Sequence, residues 1–246
     1  MEDYARRGYI AVGFDCRYHG VRALSGSPEG LPPGSDARDV YQDELLRAFL
    51  GEVDDKPFLM DNAWDAMAVV DALLARGDVD PSRVAACGFS LGGMVAWLLA
   101  AADARVCAAV ALLALQDFGW AVDRGRWQGR VDSIPRFFAA AAEAEGRDRP
   151  DAELVRAAWD RLLPGMLQGW DMPDSLPSVA PRPLLCINKE RDPRCPVAGL
   201  GRALRNLRAA YENAGALGEL FARQLWRPHC AVLCAGVTLA ATRRRR

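Results

Sequence analysis

The chain alternates between short apolar runs and longer segments in which apolar residues recur at helical spacing. None of the apolar runs shows the strict alternation of a half-exposed strand, so each is expected to be buried on both faces of a sheet. The predicted strands cover residues 9–15, 83–89, 106–115 and 182–188. Strands of this kind are typical of parallel sheets that helices cover on both sides.

Helices are predicted between these strands. Asp61 is expected to cap a helix that Gly77 ends, because apolar residues recur at helical spacing between the two. A second helix is predicted over about residues 91–102 and a third over about residues 196–213. This alternation predicts an α/β fold with a doubly wound, mostly parallel sheet.

Residues 116–180 interrupt the alternation, because they are too many for a simple crossover between two strands. The segment contains two helical patterns of its own and four of the seven tryptophans. It is predicted to be a helical cap inserted into a single domain of residues 1–246. The tryptophans indicate either an apolar binding surface or the packing of the cap itself.

The stretch "ACGFSLGGMVAW" carries the clearest chemical signal. Ser90 stands between Gly88 and Gly92, after a predicted strand and before a predicted helix, which is the pattern of a nucleophile elbow. Ser90 is therefore the candidate nucleophile. The Leu91 N–H, at the start of the helix, is a candidate oxyanion-hole donor. The alternative is a glycine-rich turn that holds an incidental serine.

Three segments around these residues resemble the α/β-hydrolase family, in its dienelactone hydrolase and prolyl oligopeptidase-like branch. They are "YARRGYIAVGFDCRYHG", "VDPSRVAACGFSLGGMVAW" and "APRPLLCINKERDPRCPV". The resemblance covers about residues 4–213 and is closest to plant-type hydrolases of unassigned substrate, which carry "RYHG" and "DPRCP". It implies a catalytic triad in the chain order serine, acid, histidine.

The resemblance places the catalytic acid at Asp192, in the loop after the strand of residues 182–188. The base is then His229, which follows a possible eighth strand, "LFARQLW". His19 comes too early in the chain and is expected to form structural hydrogen bonds in the turn after the first strand.

Alternatives exist for both positions. Asp192 could be a solvated loop aspartate, whereas Asp171 and Asp174 compete with it only in composition, since both fall in the cap. Pro228 and the apolar run after it lack the glycine turn that presents this histidine in relatives, so His229 could belong to a divergent tail.

The resemblance also implies that the chain begins within the helix that precedes the fold's fourth strand. The third strand and the loop that supplies a second oxyanion amide would then be absent. Since that strand lies between the fourth and fifth, we expect a gap in the middle of the sheet. The chain is accordingly expected to be an incomplete version of a longer hydrolase.

Composition sets limits on partners and location. The net charge of −1 favours neither nucleic acid nor membrane binding, and the apolar run 230–241 is too short to span a bilayer. Seven cysteines, several in apolar runs, indicate a reducing compartment, and no metal pattern emerges. The start "MEDYARRGYI" has no secretory pattern, so a cytoplasmic location is expected. A location inside an organelle is the alternative. The oligomeric state stays open.

The resulting hypothesis is a serine hydrolase that needs no cofactor and cleaves a small, apolar ester, thioester or amide through an acyl-enzyme. A non-catalytic binding protein on the same fold is the first alternative. A prolyl oligopeptidase-like peptidase is the second, less favoured because the chain is short and has no propeller domain.

Overall fold

A six-stranded mixed sheet forms the centre of the structure, a computed structural model that describes residues 2–23, 36–225 and 236–243. Its strands are β1 (Tyr9–Asp15), β2 (Val79–Phe89), β3 (Val106–Leu112), β4 (Leu184–Lys189), β5 (Leu220–Leu225) and β6 (Gly236–Arg243). Their order across the sheet is β1-β6-β2-β3-β4-β5. Five of these strands run in one direction, and β6 is antiparallel to both of its neighbours.

Helices connect and cover the strands. They are α1 (Glu2–Arg6), α2 (Ala37–Leu50), α3 (Met60–Leu74), α4 (Leu91–Ala102), α5 (Phe118–Asp123), α6 (Gln128–Val131), α7 (Pro135–Ala144), α8 (Ala152–Leu162), α9 (Met172–Ser175) and α10 (Gly201–Asn213). The most buried is α4, in which every residue from Gly92 to Ala100 is buried. It packs on β2 and β3 and also contacts α3.

The predicted α/β fold with a mostly parallel sheet is confirmed, and the four predicted strands are present as β1 to β4. Three strands differ from the prediction in their boundaries. β4 covers Leu184–Lys189 and not residues 182–188. β2 begins earlier, at Val79, because its first residue pairs with Arg243 of β6. β3 ends earlier, at Leu112, because Leu113 turns the chain with a positive φ of 51°.

Two helix boundaries were also predicted wrongly. Asp61 does not cap α3, because its carboxylate lies inside the first turn and accepts hydrogen bonds from the Arg17 guanidinium and the Lys56 N–H. The helix predicted from residue 196 begins as a 3-10 turn, Val197–Leu200, and becomes α-helical only at Gly201.

The expected gap in the sheet does not exist, and this is the largest correction. Residues 236–243 form β6, which lies between β1 and β2 and pairs with both. Leu239 and Ala241 of this strand are fully buried. The sequence contains an apolar run here but no signal for the antiparallel insertion, because that placement depends on pairing partners distant in the chain.

The segment between β3 and β4 contains α5 to α9 and is held by aromatic packing. Trp159 of α8 is 1% exposed and contacts the rings of Phe58, Phe118 and Phe138. This tryptophan therefore serves packing, whereas Trp170 is 46% exposed. That the segment behaves as an inserted cap stays a prediction.

No helix in the described part of the chain combines the length and the apolar character that crossing a bilayer requires.

Truncation of Leu239, a buried side chain of β6, should measure how much the strand between β1 and β2 stabilises the fold. We expect Leu239→Ala to lower the free energy of unfolding by about 2–5 kcal/mol, because it leaves a cavity in the hydrophobic core on one face of β6. Leu217→Ala is the matched control, since Leu217 is 41% exposed. Urea unfolding measures both, and equal losses would contradict the central position of β6.

Candidate active site

Ser90 occupies a strained turn between β2 and α4. Its φ of 53° and ψ of −116° lie in a region that side chains other than glycine rarely adopt. The Ser90 N–H donates to the Leu112 carbonyl at 2.8 Å, which ties the turn to the end of β3. Such strain persists only where the surrounding structure enforces it, and at functional sites it is common.

Two glycines allow the close contact that enforces this turn. A Cβ at Gly88 would overlap the backbone of Gly92, in the first turn of α4. A Cβ at Gly93 would lie 2.7 Å from the Ala114 Cβ and 2.9 Å from the Leu112 carbonyl oxygen. The Gly-x-Ser-x-Gly-Gly pattern therefore has a steric cause, because only glycine fits where the helix touches the strands.

Leu91 is the first residue of α4. Its N–H belongs to the first turn of the helix, where N–H groups have no intrahelical partner and the helix dipole favours negative charge. This position suits an oxyanion-hole donor, a role that stays a prediction.

Asp192 follows β4 in a mostly exposed loop, but its own side chain is not solvated as the alternative supposed. The side chain is 4% exposed and forms an ion pair with Arg194. Its Oδ1 accepts from the Arg194 N–H and Nε, both at 3.0 Å, and its Oδ2 accepts from Nη2 at 3.1 Å. Burial raises the pKa of Asp192, but the hydrogen bonds and charge of Arg194 outweigh it, so the pKa is below its ordinary value.

Helix α6 packs tightly on the loop that carries Asp192. A Cβ at Gly129 would overlap the Pro193 carbonyl, so only glycine allows this approach. Beside the contact lies a cavity of about 460 Å³, bounded by α5, α6 and the loop. Its lining includes Trp120, Gln128, Asp192 and Val197. The lining beside the candidate acid is therefore mixed, with apolar side chains next to the charged Arg126, Glu190 and Arg191.

The two histidines differ in what the structure describes. His19 Nδ1 lies 2.9 Å from the Arg17 carbonyl oxygen, and its ring contacts Tyr41 with centroids 4.5 Å apart. His229, the predicted base, lies outside the described residues. The strands on either side of it in sequence are described: β5 ends at Leu225 and β6 begins at Gly236, both at the carboxyl edge of the parallel strands.

Ser90 and Asp192 share this edge, because each follows a parallel strand, and the end of β3 lies between them. Open α/β sheets bind ligands at this edge. The catalytic roles of Ser90, Asp192, His229 and Leu91 stay predictions.

Sequence reasoning missed two polar clusters at the same edge. In the first, the Arg130 guanidinium donates from Nε and Nη2 to the Gln116 Oε1, at 3.2 and 2.6 Å. The Gln116 amide in turn donates to the Met94 sulfur at 3.2 Å. No local pattern reveals this cluster, because its members are far apart in the chain.

The second cluster is a buried pair of carboxylates, Asp117 and Asp171, 4% and 3% exposed. Asp171 accepts hydrogen bonds from the N–H groups of Phe118, Gly119 and Met172. Burial raises its pKa to about 7. The negative charge of Asp117 contributes to this rise, and the three N–H groups offset part of it. Asp171, considered from the sequence only as a rival of Asp192, thus joins α5 to α9.

In the described ranges, no three His, Cys, Asp or Glu side chains are grouped so that they could hold a metal ion.

A mostly parallel sheet with a strained serine between a central strand and the following helix defines an α/β-hydrolase-like fold. Comparisons with known proteins support this fold for the first part of the chain. The sequence model of the Dienelactone hydrolase family matches residues 2–116, slightly less than half of the chain. This match includes β1, the Ser90 turn and β3, and it ends before Asp192.

The chain is also similar to a protein of Bacillus subtilis (strain 168) named "Putative hydrolase YtaP", with 32% identity over 107 residues. The match covers 41% of this chain and 36% of that protein.

Two solved structures of a glucuronoyl esterase from Solibacter usitatus are similar at 18% and 19% identity, with TM-scores of 0.39 and 0.43. They cover 79% and 82% of this chain, which spans 44% and 45% of theirs. The chain thus matches less than half the length of each of these relatives.

The glycine contact under Ser90 can be tested directly. We expect Gly88→Ala to lower the free energy of unfolding by about 1–3 kcal/mol, because its Cβ must displace the start of α4. Gly218→Ala is the control, since a Cβ there meets no atom within 4 Å. Both are measured by urea unfolding. Equal effects of the two substitutions would show that the turn is not sterically constrained.

The carboxylate pair predicts a pH-dependent stability. The folded protein protonates Asp171 more readily than the unfolded chain does, since its pKa is raised to about 7. The stability that the protonated Asp171 contributes to the folded protein is therefore complete below about pH 4, and it is lost as the pH rises through about 7.

Urea unfolding between pH 5 and pH 8 measures this loss. We expect the free energy of unfolding to fall less steeply in Asp171→Asn than in the wild type. Asp148→Asn, which changes an exposed aspartate in the same segment of the chain, should keep the wild-type slope. An unchanged slope in Asp171→Asn would assign the pH dependence to other groups.

Proposed function

We propose that this chain is a serine hydrolase of the dienelactone hydrolase family that cleaves a small, apolar ester, thioester or amide through an acyl-enzyme. The observation that carries the proposal is the backbone of Ser90, with φ 53° and ψ −116° at the junction of β2 and α4. A strand-to-helix turn with a structural role alone does not require a serine in a strained backbone conformation.

In the proposed mechanism, His229 accepts the Ser90 hydroxyl proton while Oγ attacks the substrate carbonyl carbon. The Leu91 N–H stabilises the oxyanion that forms. His229 then donates the proton to the leaving alcohol, thiol or amine, which leaves an acyl-enzyme. Water, activated by His229, hydrolyses that ester and returns Ser90 to its initial state.

The hydrogen bonds of Asp192 are compatible with its role as the orienting acid. Its lowered pKa keeps the carboxylate ionised at neutral pH, as stabilisation of an imidazolium requires. Arg194 uses Oδ1 twice and Oδ2 once. Since a carboxylate oxygen can accept about two hydrogen bonds, Oδ2 retains a position for one histidine N–H.

Similarity to the Dienelactone hydrolase family and to a Bacillus hydrolase supports hydrolysis as the reaction class. Trp120, Pro196 and Val197 in the lining of the cavity beside Asp192 support an apolar portion of the substrate.

A second candidate is a binding protein on the same fold. The ion pair of Asp192 with Arg194 favours it, because Arg194 neutralises the charge of the carboxylate without any histidine. A covalent probe of serine reactivity separates the two candidates, since only the hydrolase activates Ser90.

We expect a fluorophosphonate probe to label the wild-type protein at Ser90, identified by mass spectrometry of the labelled peptide. Ser90→Ala should abolish labelling. His229→Gln should slow it by on the order of 10⁶-fold, because the base that activates the nucleophile is lost.

Matched controls exist for both substitutions. Ser82→Ala changes an exposed serine, and His19→Gln changes the other histidine, so both should keep the wild-type rate within a few-fold. If the folded wild-type protein is not labelled, the binding-protein candidate replaces the hydrolase. Rapid labelling of His229→Gln would remove His229 from the mechanism.

A further inference from the structure

Arg130 of α6 joins the two segments that are connected to the proposed nucleophile and the proposed acid. Its side chain is half-buried. On one side, its Nε and Nη2 donate to the Gln116 Oε1, at 3.2 and 2.6 Å. On the other side, its guanidinium donates to the sulfur of Cys195, in the loop after β4. Arg130 thus connects the segment after β3 with the loop that carries Asp192.

The contact with Gln116 continues to the helix that follows Ser90. Gln116 is buried, and its amide donates to the Met94 sulfur at 3.2 Å. Met94 lies in the first turn of α4, and its N–H donates to the Ser90 carbonyl at 2.9 Å. Arg130 is therefore connected to the Ser90 turn by two side-chain contacts and one backbone hydrogen bond.

The contact with Cys195 continues to the backbone of Asp192. The Cys195 N–H donates to the Asp192 carbonyl at 3.2 Å, and the buried thiol donates to the Leu113 carbonyl at 3.7 Å. Burial raises the pKa of this thiol to about 11, so at neutral pH its sulfur is an uncharged acceptor for Arg130. A displacement of Cys195 would therefore move the turn that presents the Asp192 carboxylate.

The neighbouring Gly129 holds α6 on the same loop. Its backbone is helical, yet a Cβ there would overlap the Pro193 carbonyl and lie 2.9 Å from the Arg194 nitrogen. The two backbones are thus in direct contact. This contact fixes the point from which the Arg130 side chain extends.

The chemistry of Arg130 favours positioning over stability. Burial of a guanidinium costs free energy, and an apolar side chain of similar volume often stabilises a protein as well as a buried charge does. The planar fork of N–H groups, by contrast, holds acceptors on two sides at fixed distances. Gln116 and Cys195 are such acceptors, and they belong to segments that follow different strands.

We propose that Arg130 is a positioning residue that sets the separation between Ser90 and Asp192. The inference rests on the proposed function, because this separation matters only if both residues act in one triad. In this role Arg130 touches no reacting atom. It acts through Gln116 on the start of α4 and through Cys195 on the loop after β4. A misplacement of about 1 Å that originates away from the reacting atoms can cost about 10²-fold in rate.

Fluorophosphonate labelling of Ser90 in the folded protein tests the proposal. We expect Arg130→Met to slow labelling by on the order of 10²-fold. The pH at which the labelling rate is half-maximal should also fall, because a displaced carboxylate stabilises the protonated base less. Arg124→Met, which changes an exposed arginine in the same segment, should keep the wild-type rate and pH profile.

A double-mutant cycle with Asp192→Asn separates positioning from a general loss of stability. If Arg130 acts by aligning Asp192, Arg130→Met should slow the labelling of Asp192→Asn by no more than a few-fold. A conservative pair tests the sulfur contact. Cys195→Ala should slow labelling about tenfold, whereas Cys195→Ser keeps an acceptor and should stay within a few-fold of the wild type.

A wild-type labelling rate in Arg130→Met would overturn the positioning role and leave the hydrolase standing. An unchanged pH midpoint, or slowing that adds to that of Asp192→Asn, would assign Arg130 a structural role only. If Arg130→Met does not fold, equal rates in Cys195→Ala and Cys195→Ser overturn the proposal instead. No labelling of the folded wild-type protein would overturn the hydrolase and the positioning role together.

Discussion

The pairing of β6 with both β1 and β2 is the interaction on which the rest of the sheet depends. β6 pairs with β1 along all seven residues from Tyr9 to Asp15, and it pairs with the second half of β2. Without it, two rows of buried N–H and C=O groups would face each other without partners, at a large energetic cost. The same pairing sets the distance from β1 to β2. Residues 16–19, Ser90 and Asp192 can lie along one edge only because the sheet is continuous there.

The strain at Ser90 is sustained by the burial of the helix that follows it. A residue held in such a backbone conformation costs about 1–3 kcal/mol. α4 buries Met94, Val95, Trp97 and Leu99 completely or almost so, and each large apolar side chain contributes about 1.5–3 kcal/mol. The packing of α4 therefore exceeds the cost of the turn severalfold. Because Gly88 lets α4 approach β2 so closely, this packing fixes the serine rather than relaxing it.

The sequence predicted those features that depend on local patterns. The glycines around Ser90 and the apolar runs of β1 to β4 have their cause within a few residues, so their positions could be predicted. The position of β6 could not, because an apolar run does not specify which strands it will join. Nor could the burial of Asp192, which results from Arg194 and the packing of Gly129 on the loop. His229 lies outside the described residues, so its place in the triad stays a prediction.

Two aspartates at the carboxyl edge, Asp192 and Asp171, are both buried, yet their environments shift their pKa values in opposite directions. Arg194 donates to Asp192 and lowers its pKa, whereas Asp171 faces Asp117 and has its pKa raised to about 7. Asp192 thus stays ionised down to acidic pH, while Asp171 is protonated below about pH 7. Between acidic pH and about pH 7, the loop after β4 therefore retains the ion pair of Asp192 with Arg194. In the same range the repulsion between Asp117 and Asp171 is smallest, because Asp171 is protonated. Above about pH 7 the second carboxylate ionises beside the first, so repulsion arises beneath α5, the helix that carries Trp120 to the cavity. Loss of order at high pH should therefore begin in the segment between β3 and β4, before the sheet that holds Ser90 is affected.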